Sequence, residues 1–372
     1  MKITYLSNSI IPSRYANSVQ VMKMCEALAK NGHDIVLYAR KPSNKIKNVY
    51  RFYGVSEVFK IKWKEWPNLR GVGGFIFAYR VNKDLQNNQL PDLIYGRSHQ
   101  CLFLARKHRI PMIFESHSIP KNYLEKEVIK RITKKDSLVK TVVTSDAIKE
   151  VYKNEFPWLD KNKLVVVRNG ADVVREKDDK PILISGSAIK VGYVGHLYPD
   201  KGIDIIHKVA QKLPKLEFHI VGGSEKDVAF WSNVIKLDNV TFHGHVPNSD
   251  LTNYYRSFDI LIAPYKKTSI SFGGSNSVDK YASPLKIMEY MAQKKPIIAS
   301  DLPMVKETIR HMENGLLCKP DDITSWVDTI KLVADDKEIS MRISENAYNE
   351  FINHYTWEKR AEIIIEKTRY LG

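Results

Sequence analysis

Short apolar runs alternate with stretches whose apolar residues recur at helical spacing, and this rhythm repeats along the chain. Residues 2–7 form an apolar run, followed by the polar loop NSIIPSRYAN. Val21, Met24, Cys25 and Leu28 then fall at i, i+3, i+4 and i+7, which predicts a helix over about 18–31 closed by Gly32. A second strand is expected over 34–39, giving a strand–loop–helix–strand unit of Rossmann type without G-x-G-x-x-G. Further parallel strands are expected at 92–96, 112–115, 141–144 and 164–167, with a basic helix over 125–140. The charged run ADVVREKDDK marks a linker at about 172–187.

A second series of the same kind follows, with strands at 189–194, 216–221, 240–242 and 259–263, then the loop TSISFGGSNSVDK. The stretch YASPLKIMEYMAQKKPIIASD comes next. Ser283 suits an N-cap and Pro284 a first helical position, while Leu285, Met288, Met291 and Ala292 mark a buried helical face. The segment PIIAS reads as a short buried strand, and a last helix is expected over about 356–370, crossing back onto the first half. The architecture predicted is α/β, with two Rossmann-like domains whose parallel sheets face a central cleft. The first covers residues 1–178 plus the C-terminal helix 356–372, and the second covers 186–355.

Composition agrees with a globular chain: 372 residues, 43% hydrophobic and 27% charged. No apolar run reaches the ~18 residues that span a bilayer, and the N-terminus has no signal-peptide pattern. Cys25, Cys101 and Cys318 are far apart in no ligand pattern, which fits a reducing cytoplasm and excludes a disulfide framework. Charge changes the picture more. The net +16 is confined to residues 1–180, with 34 Lys and Arg against 18 Asp and Glu, whereas 181–372 holds 24 of each. Such asymmetry points to an anionic partner, either a membrane surface on its cytoplasmic side or nucleic acid. The segment FKIKWKEWPNLRGVGGFIFAYR interleaves Lys60, Lys62, Lys64 and Arg70 with Trp63, Trp66, Phe75 and Phe77. That composition suits a membrane interface, an acceptor groove or base stacking, and equally a plain strand and loop.

Open parallel sheets bind ligands at the carboxyl ends of their strands, so polar residues there are site candidates. In the first half these are Arg14, Asn17 and Ser18 after the first strand, Arg97 and His99 after DLIYG, and Glu115 and His117 in MIFESHS. In the second half they are Gly195, where the backbone can approach a ligand, and Lys201 and Gly202 at the next helix start. The helix opening at SPLK offers unpaired N–H groups and a positive dipole end to a phosphate. Lys286 adds a cation there and Glu289 follows one turn later. A capped core helix is the alternative reading.

The motifs ANS-x-Q-VMKMCEALAKNGHD, ESHS, VVTSDAIKE, RNGAD, GHLYPDKG, FHGHVP, SPLKIMEYMA, KKPIIASDLP and NGLLCKPDD occur in this order across essentially the whole chain. Together they resemble a family 4 glycosyltransferase of GT-B fold. The resemblance implies transfer of a sugar from a nucleotide donor, with retained anomeric configuration, by a front-face mechanism. It implies a donor in the second domain and an acceptor in the first. Lys201 matches the basic residue that clamps the diphosphate. Its usual arginine partner in G-R-L is here His196, a charge that titrates near ~6.5 when unperturbed. Glu289 matches the second glutamate of Glu-x7-Glu, which holds the ribose, while Tyr281 stands where the first would be. What remains is an SPLK variant, with Ser283, Leu285 and Lys286 at the diphosphate and His245 and Pro264 on neighbouring loops of the donor site. His117 matches a histidine beside the transferred sugar, so His117, Lys201 and Glu289 are the expected catalytic residues. Arg14, Asn17, Ser18, Arg97 and Glu115 are expected on the acceptor side.

The partners expected are a nucleotide-sugar, on family frequency a UDP-sugar, and a glycan or lipid-linked acceptor. A peripheral position on the cytoplasmic membrane face is expected, through the segments at 59–80 and 125–140. No Asp-x-Asp pair occurs, so neither a metal nor another cofactor is expected. An epimerase or a catalytically weak nucleotide-sugar-binding scaffold on the same frame are the rival readings. Nucleic-acid binding, suggested by a pI near 9.4, fits poorly with a charge-neutral second half.

Overall fold

In the first half of the chain, seven parallel strands form one sheet, its inner strands apolar runs buried on both faces and its edge strand KIKWK partly exposed. They are β1 (Lys2–Ile10), β2 (Asp34–Arg40), β3 (Lys60–Lys64), β4 (Leu93–Gly96), β5 (Met112–Ser116), β6 (Leu138–Val143) and β7 (Leu164–Val166), paired in the order β3-β2-β1-β4-β5-β6-β7. The structure is a computed structural model, and it describes residues 1–13, 15–43, 47–69, 71–174, 181–183, 186–247, 250–267 and 283–366. Arg14, Tyr281 and the loop at 268–280 lie outside these residues. In the second half six parallel strands pair in the order β10-β9-β8-β11-β12-β13. They are β8 (Lys190–Val194), β9 (Glu217–Val221), β10 (Val240–Gly244), β11 (Ile260–Ala263), β12 (Ile297–Ser300) and β13 (Leu316–Cys318). Each sheet reverses its order beside its first strand, so the switch points lie between β1 and β4 and between β8 and β11.

The chain divides into two compact units, residues 1–169 with the helix Trp357–Glu366, and residues 170–356. The division falls ahead of the charged run that suggested a linker. Gly170 and Ala171 already belong to the second unit, where Ala171 bridges Thr356. In the first unit the helix Ala16–Lys30 buries Val21, Met24, Cys25 and Leu28 completely and is followed by Gly32 at φ 86°. It starts two positions before Ser18, whose hydroxyl bonds the carbonyls of Ser13 (2.9 Å) and Tyr15 (2.7 Å) instead of leading the helix.

Two other expectations are corrected. The basic helix expected over 125–140 is shorter, Tyr123–Thr133, capped by Asn122 through Glu125 N–H at 2.9 Å. Its supposed last turn is β6, because the apolar run from Leu138 pairs with β5 and β7. Lys140 within that strand is buried, with Nζ on the carbonyls of Ile363 (3.1 Å) and Ile364 (2.5 Å) at the end of the C-terminal helix. The SPLK helix runs Leu285–Met291 and Pro284 holds its N-cap position at ψ 107°, so Ser283 lies one residue outside the expected cap. Ile287, Met288, Tyr290 and Met291 make its buried face.

Candidate nucleotide-sugar site and a buried polar network

In the second unit the candidate donor residues meet at the carboxyl ends of β8 and β11. β8 delivers Tyr193 and then Gly195, which leaves the strand at φ 154° while its N–H donates to Val221 O at 2.8 Å. Glycine is favoured here by that φ, and any side chain would also have to displace Lys286. A Cβ would come within 2.5 Å of Lys286 Nζ and 2.8 Å of its Cε. The Lys286 ammonium lies instead 3.6 Å from the Tyr193 ring centroid and 5.6 Å from that of Tyr265. Its Nζ is buried with no hydrogen-bond partner among the described residues. Burial first, and then nearby Lys201, push its pKa well below the ordinary lysine value, against an opposing pull from Glu289 and Asp200.

Lys201 also lies near Tyr265, 5.4 Å from the ring centroid, and pairs with Asp200 at 2.5 Å. The 3₁₀ turn Pro199–Lys201 is closed by Gly202 at φ 73°, and that glycine presses on the carbonyl of Pro264 too closely for any side chain. His196 stacks on Tyr198 with ring centroids 4.9 Å apart, and its carbonyl accepts the Tyr193 hydroxyl at 2.6 Å. Burial, Lys286 and Lys201 lower its pKa, with His245 adding a smaller push the same way. The imidazole is therefore held toward its neutral form. Glu289 accepts the Tyr255 hydroxyl at 3.4 Å. Leu285 opens the helix that carries Lys286 and Glu289.

In the first unit a different object forms. The Glu115 carboxylate at the end of β5 is almost wholly buried. It receives Arg360 of the C-terminal helix at 2.8 Å, Gln20 at 3.0 Å, and short bonds from the Tyr95 hydroxyl and His117 Nε2. Burial alone would raise its pKa, but Arg360 and His117 overcome that and hold it at about 2. Burial and Arg97 depress His117 to about 4 against the attraction of Glu115. Gln20 passes the network on, accepting Arg97 Nη1 at 2.7 Å, and Arg97 also reaches the carbonyl of exposed Asn17 at 3.5 Å. His99 sits apart, 3.8 Å from Glu125. Glu115 thus lies beneath His117 and is enclosed by its partners, and Ser18 is fully buried.

The sequence reading missed Arg360, Gln20, Tyr95 and Tyr193. A signal for Arg360 existed. In the last helix Trp357, Arg360, Ala361 and Ile364 share one helical face, and an arginine on an apolar stripe needs a buried anion.

Comparison with known proteins bears on both units. The profile of "Glycosyltransferase Family 4" matches residues 18–175 and that of "Glycosyl transferases group 1" matches 174–350. The two profiles run end to end through both units, and the chain belongs to the family 4 glycosyltransferases. An uncharacterized glycosyltransferase of Haemophilus influenzae is 29% identical over 160 residues, 41% of this chain and 42% of that protein. A D-inositol 3-phosphate glycosyltransferase of Corynebacterium efficiens is 26% identical over 224 residues, 54% of this chain and 50% of that protein. The chain spans about half or less of the length of these curated relatives. Among solved structures, the HepE protein of Anabaena in complex with UDP matches with a TM-score of 0.74 at 17% identity, covering both chains completely. Sucrose-phosphate synthase from Thermosynechococcus elongatus matches at 0.73 and 18%, covering 100% of this chain and 98% of that one. These likenesses are of fold, and the fold is GT-B.

Proposed function

We propose that the chain moves a sugar from a nucleotide-sugar donor, a UDP-sugar, to a glycan or lipid-linked acceptor with retention of anomeric configuration. The observation that carries this reading is the buried, partnerless ammonium of Lys286 beside Lys201 at the carboxyl ends of β8 and β11. A lysine Nζ stripped of solvent and of any hydrogen-bond acceptor is costly to charge, and an arriving diphosphate would supply a close anionic acceptor. The N–H groups of Leu285 and Lys286 in the first helical turn have no intrahelical acceptors and would add to that cradle. Glu289 would hold the ribose hydroxyls. Solved neighbours of this fold were obtained with UDP and with UDP-glucose, which supports the donor class.

Chemically, the bond from the anomeric carbon to the diphosphate oxygen breaks and negative charge develops on the leaving group. Lys286, Lys201 and the turn amides stabilise it where it forms. A diphosphate oxygen takes the proton of the acceptor hydroxyl as that hydroxyl bonds to the same face of the sugar. His117 is neutral, and with Nε2–H given to Glu115 its Nδ1 can accept a hydrogen bond from a sugar hydroxyl. The acceptor would be held by the first unit through Asn17, Arg97 and their surroundings. Exposed Leu69, Val72, Tyr79, Tyr123 and Leu124 occur among its cations and suit contact with an anionic leaflet. One relative is named a D-inositol 3-phosphate glycosyltransferase and another a putative teichuronic acid biosynthesis glycosyltransferase, which supports a surface-polymer or glycolipid role.

The test is a thermal-shift screen of UDP-, GDP- and ADP-sugars, followed by donor hydrolysis without acceptor in the presence of EDTA. Stabilisation by UDP-sugars and EDTA-insensitive hydrolysis with the product in the donor's anomeric configuration are expected. Binding with no turnover would leave a scaffold, and a C2-inverted nucleotide-sugar product would mark an epimerase.

A further inference from the structure

The two tryptophans of the FKIKWKEW segment have different fates. Trp66 is used by the fold: the Arg40 guanidinium covers its ring at 4.1 Å and Phe77 packs against it at 5.5 Å. Trp63, at the end of β3, is 41% exposed. Its indole N–H nevertheless donates to the carbonyl of Ile11, just past β1, at 2.8 Å. The ring is therefore a fixed platform with an open face, standing beside the loop that follows the first strand.

Trp63 forms part of the wall of a shallow, open groove of about 520 Å³ at the carboxyl ends of β2 and β3. Lys41 and Lys64 end the two strands there. Arg80, Lys83 and Asp84 come from one face of the helix Gly73–Gln86, at i, i+3 and i+4. Four cations thus meet two carboxylates, Glu65 and Asp84. Asp84 is fully engaged, by Lys64 at 2.7 Å, Lys62 at 3.2 Å and the Tyr38 hydroxyl at 2.5 Å. Glu65 is held only loosely, by Lys41 at 3.5 Å and Arg80 at 3.9 Å. Lys83 has no ion pair or side-chain hydrogen bond among the described residues. The groove keeps two positive charges beyond its own anions, next to a rigid aromatic face.

An aromatic face accepts the C–H side of a pyranose, and lysine with arginine accepts a carboxylate or phosphate by charge-assisted hydrogen bonds. We propose that this groove binds an anionic sugar unit of the acceptor, its ring on Trp63 and its charged group at Lys83 and Arg80. This rests on the acceptor lying on the first unit, and it names the acceptor's chemical class. A tethered indole beside paired cations fits a sugar better than lipid, where a freely inserting tryptophan would serve.

The test reads binding without turnover. Full-length protein is titrated with glucose, glucuronic acid and glucose 1-phosphate while the Trp63 indole N–H resonance, assigned with Trp63→Phe, is followed. The expected result is saturable shifts from at least one of the two anionic sugars, at least tenfold weaker with glucose. The shifts persist with saturating UDP and weaken at least tenfold in Lys83→Glu. A response to glucuronic acid alone identifies a uronic unit and a response to glucose 1-phosphate alone a phosphorylated one. Equal response to glucose, or an unchanged response in Lys83→Glu, overturns the proposal. So does shielding of Trp63 from acrylamide by anionic vesicles with no response to any sugar, which would assign the platform to a membrane. UDP stabilisation measured in Trp63→Phe reports the donor reading separately, so either reading can fail alone.

Discussion

Lys286 and Lys201 are both cations of the candidate donor site, yet their surroundings put them in different states. Lys201 keeps a carboxylate neighbour and partial solvent contact, whereas the Lys286 ammonium faces an aromatic ring and no acceptor. A diphosphate would raise the depressed pKa of Lys286, so donor binding should take up a proton. Nucleotide affinity is then expected to fall with rising pH, by at most ~10-fold per pH unit for one linked proton. Calorimetric titration with UDP in two buffers of different ionisation enthalpy checks this, and identical heats in both would refute it. Lys201→Ala is expected to slow turnover by ~10² or more, the scale for losing one charge stabiliser. A loss of under threefold in kcat would remove Lys201 from the reacting charges. Lys286 stood out in the sequence because a cation in the first turn of a helix is out of place structurally, whereas Lys201 stood out through the family resemblance. The low-pKa state of Lys286 was not legible, because it depends on Tyr193 and Tyr265 closing around the ammonium.

The C-terminal helix contributes more than an apolar face. It belongs to the first unit and inserts Arg360 against Glu115, a residue 245 positions earlier. Buried ion pairs contribute little over an apolar pair but are expensive to break from one side. Arg360→Met should therefore cost ~3–5 kcal/mol in urea denaturation at neutral pH, and Glu115→Gln added to it should recover most of that. If the double variant is as unstable as the single, the helix docks by its apolar stripe and the pair is incidental. The same network sets an acid limit. Glu115 is held at about 2, below the usual carboxylate value, so its contribution is complete above ~4.3 and is lost as pH falls toward 2. His117 is held at about 4, so the unfolded chain takes up a proton first as pH falls from ~6.5 to 4, and stability drops there too. Urea midpoints measured from pH 7 to 3 should fall steadily, and less steeply in the Arg360→Met, Glu115→Gln double variant.

For the whole molecule, the charge map has the longest reach. The excess of basic residues lies entirely in the first 180 residues, and among the described residues no helix is long and apolar enough to cross a membrane. Attraction to an anionic leaflet would then be electrostatic and screened by salt, with a Debye length near ~8 Å at physiological ionic strength. Co-sedimentation with anionic vesicles is expected at low salt and should fall several-fold between 50 and 500 mM salt. Equal binding to neutral vesicles, or none to either, would remove the membrane from the picture. The structure narrows the residues involved. Trp66 is engaged in packing, Trp63 is exposed but tethered, and Leu69, Val72, Tyr79, Tyr123 and Leu124 are exposed in or beside the two segments at 59–80 and 125–140.

From sequence alone came the two successive α/β series, the strand ends that carry polar residues, and the motif order that places the chain in its family. These are local properties: apolar periodicity, caps and glycine positions depend on neighbours within a turn or a strand. Element edges such as 125–140 were misread because a basic amphipathic helix and an edge of buried strand look alike until β5 and β7 claim Leu138–Val143. Tertiary structure alone decided the rest. It strips the Lys286 ammonium of partners, sends Arg360 to Glu115, and opens the face of Trp63 while covering Trp66. Desolvation and pairing arise where distant segments meet in space, and no stretch of chain holds both halves of such a contact.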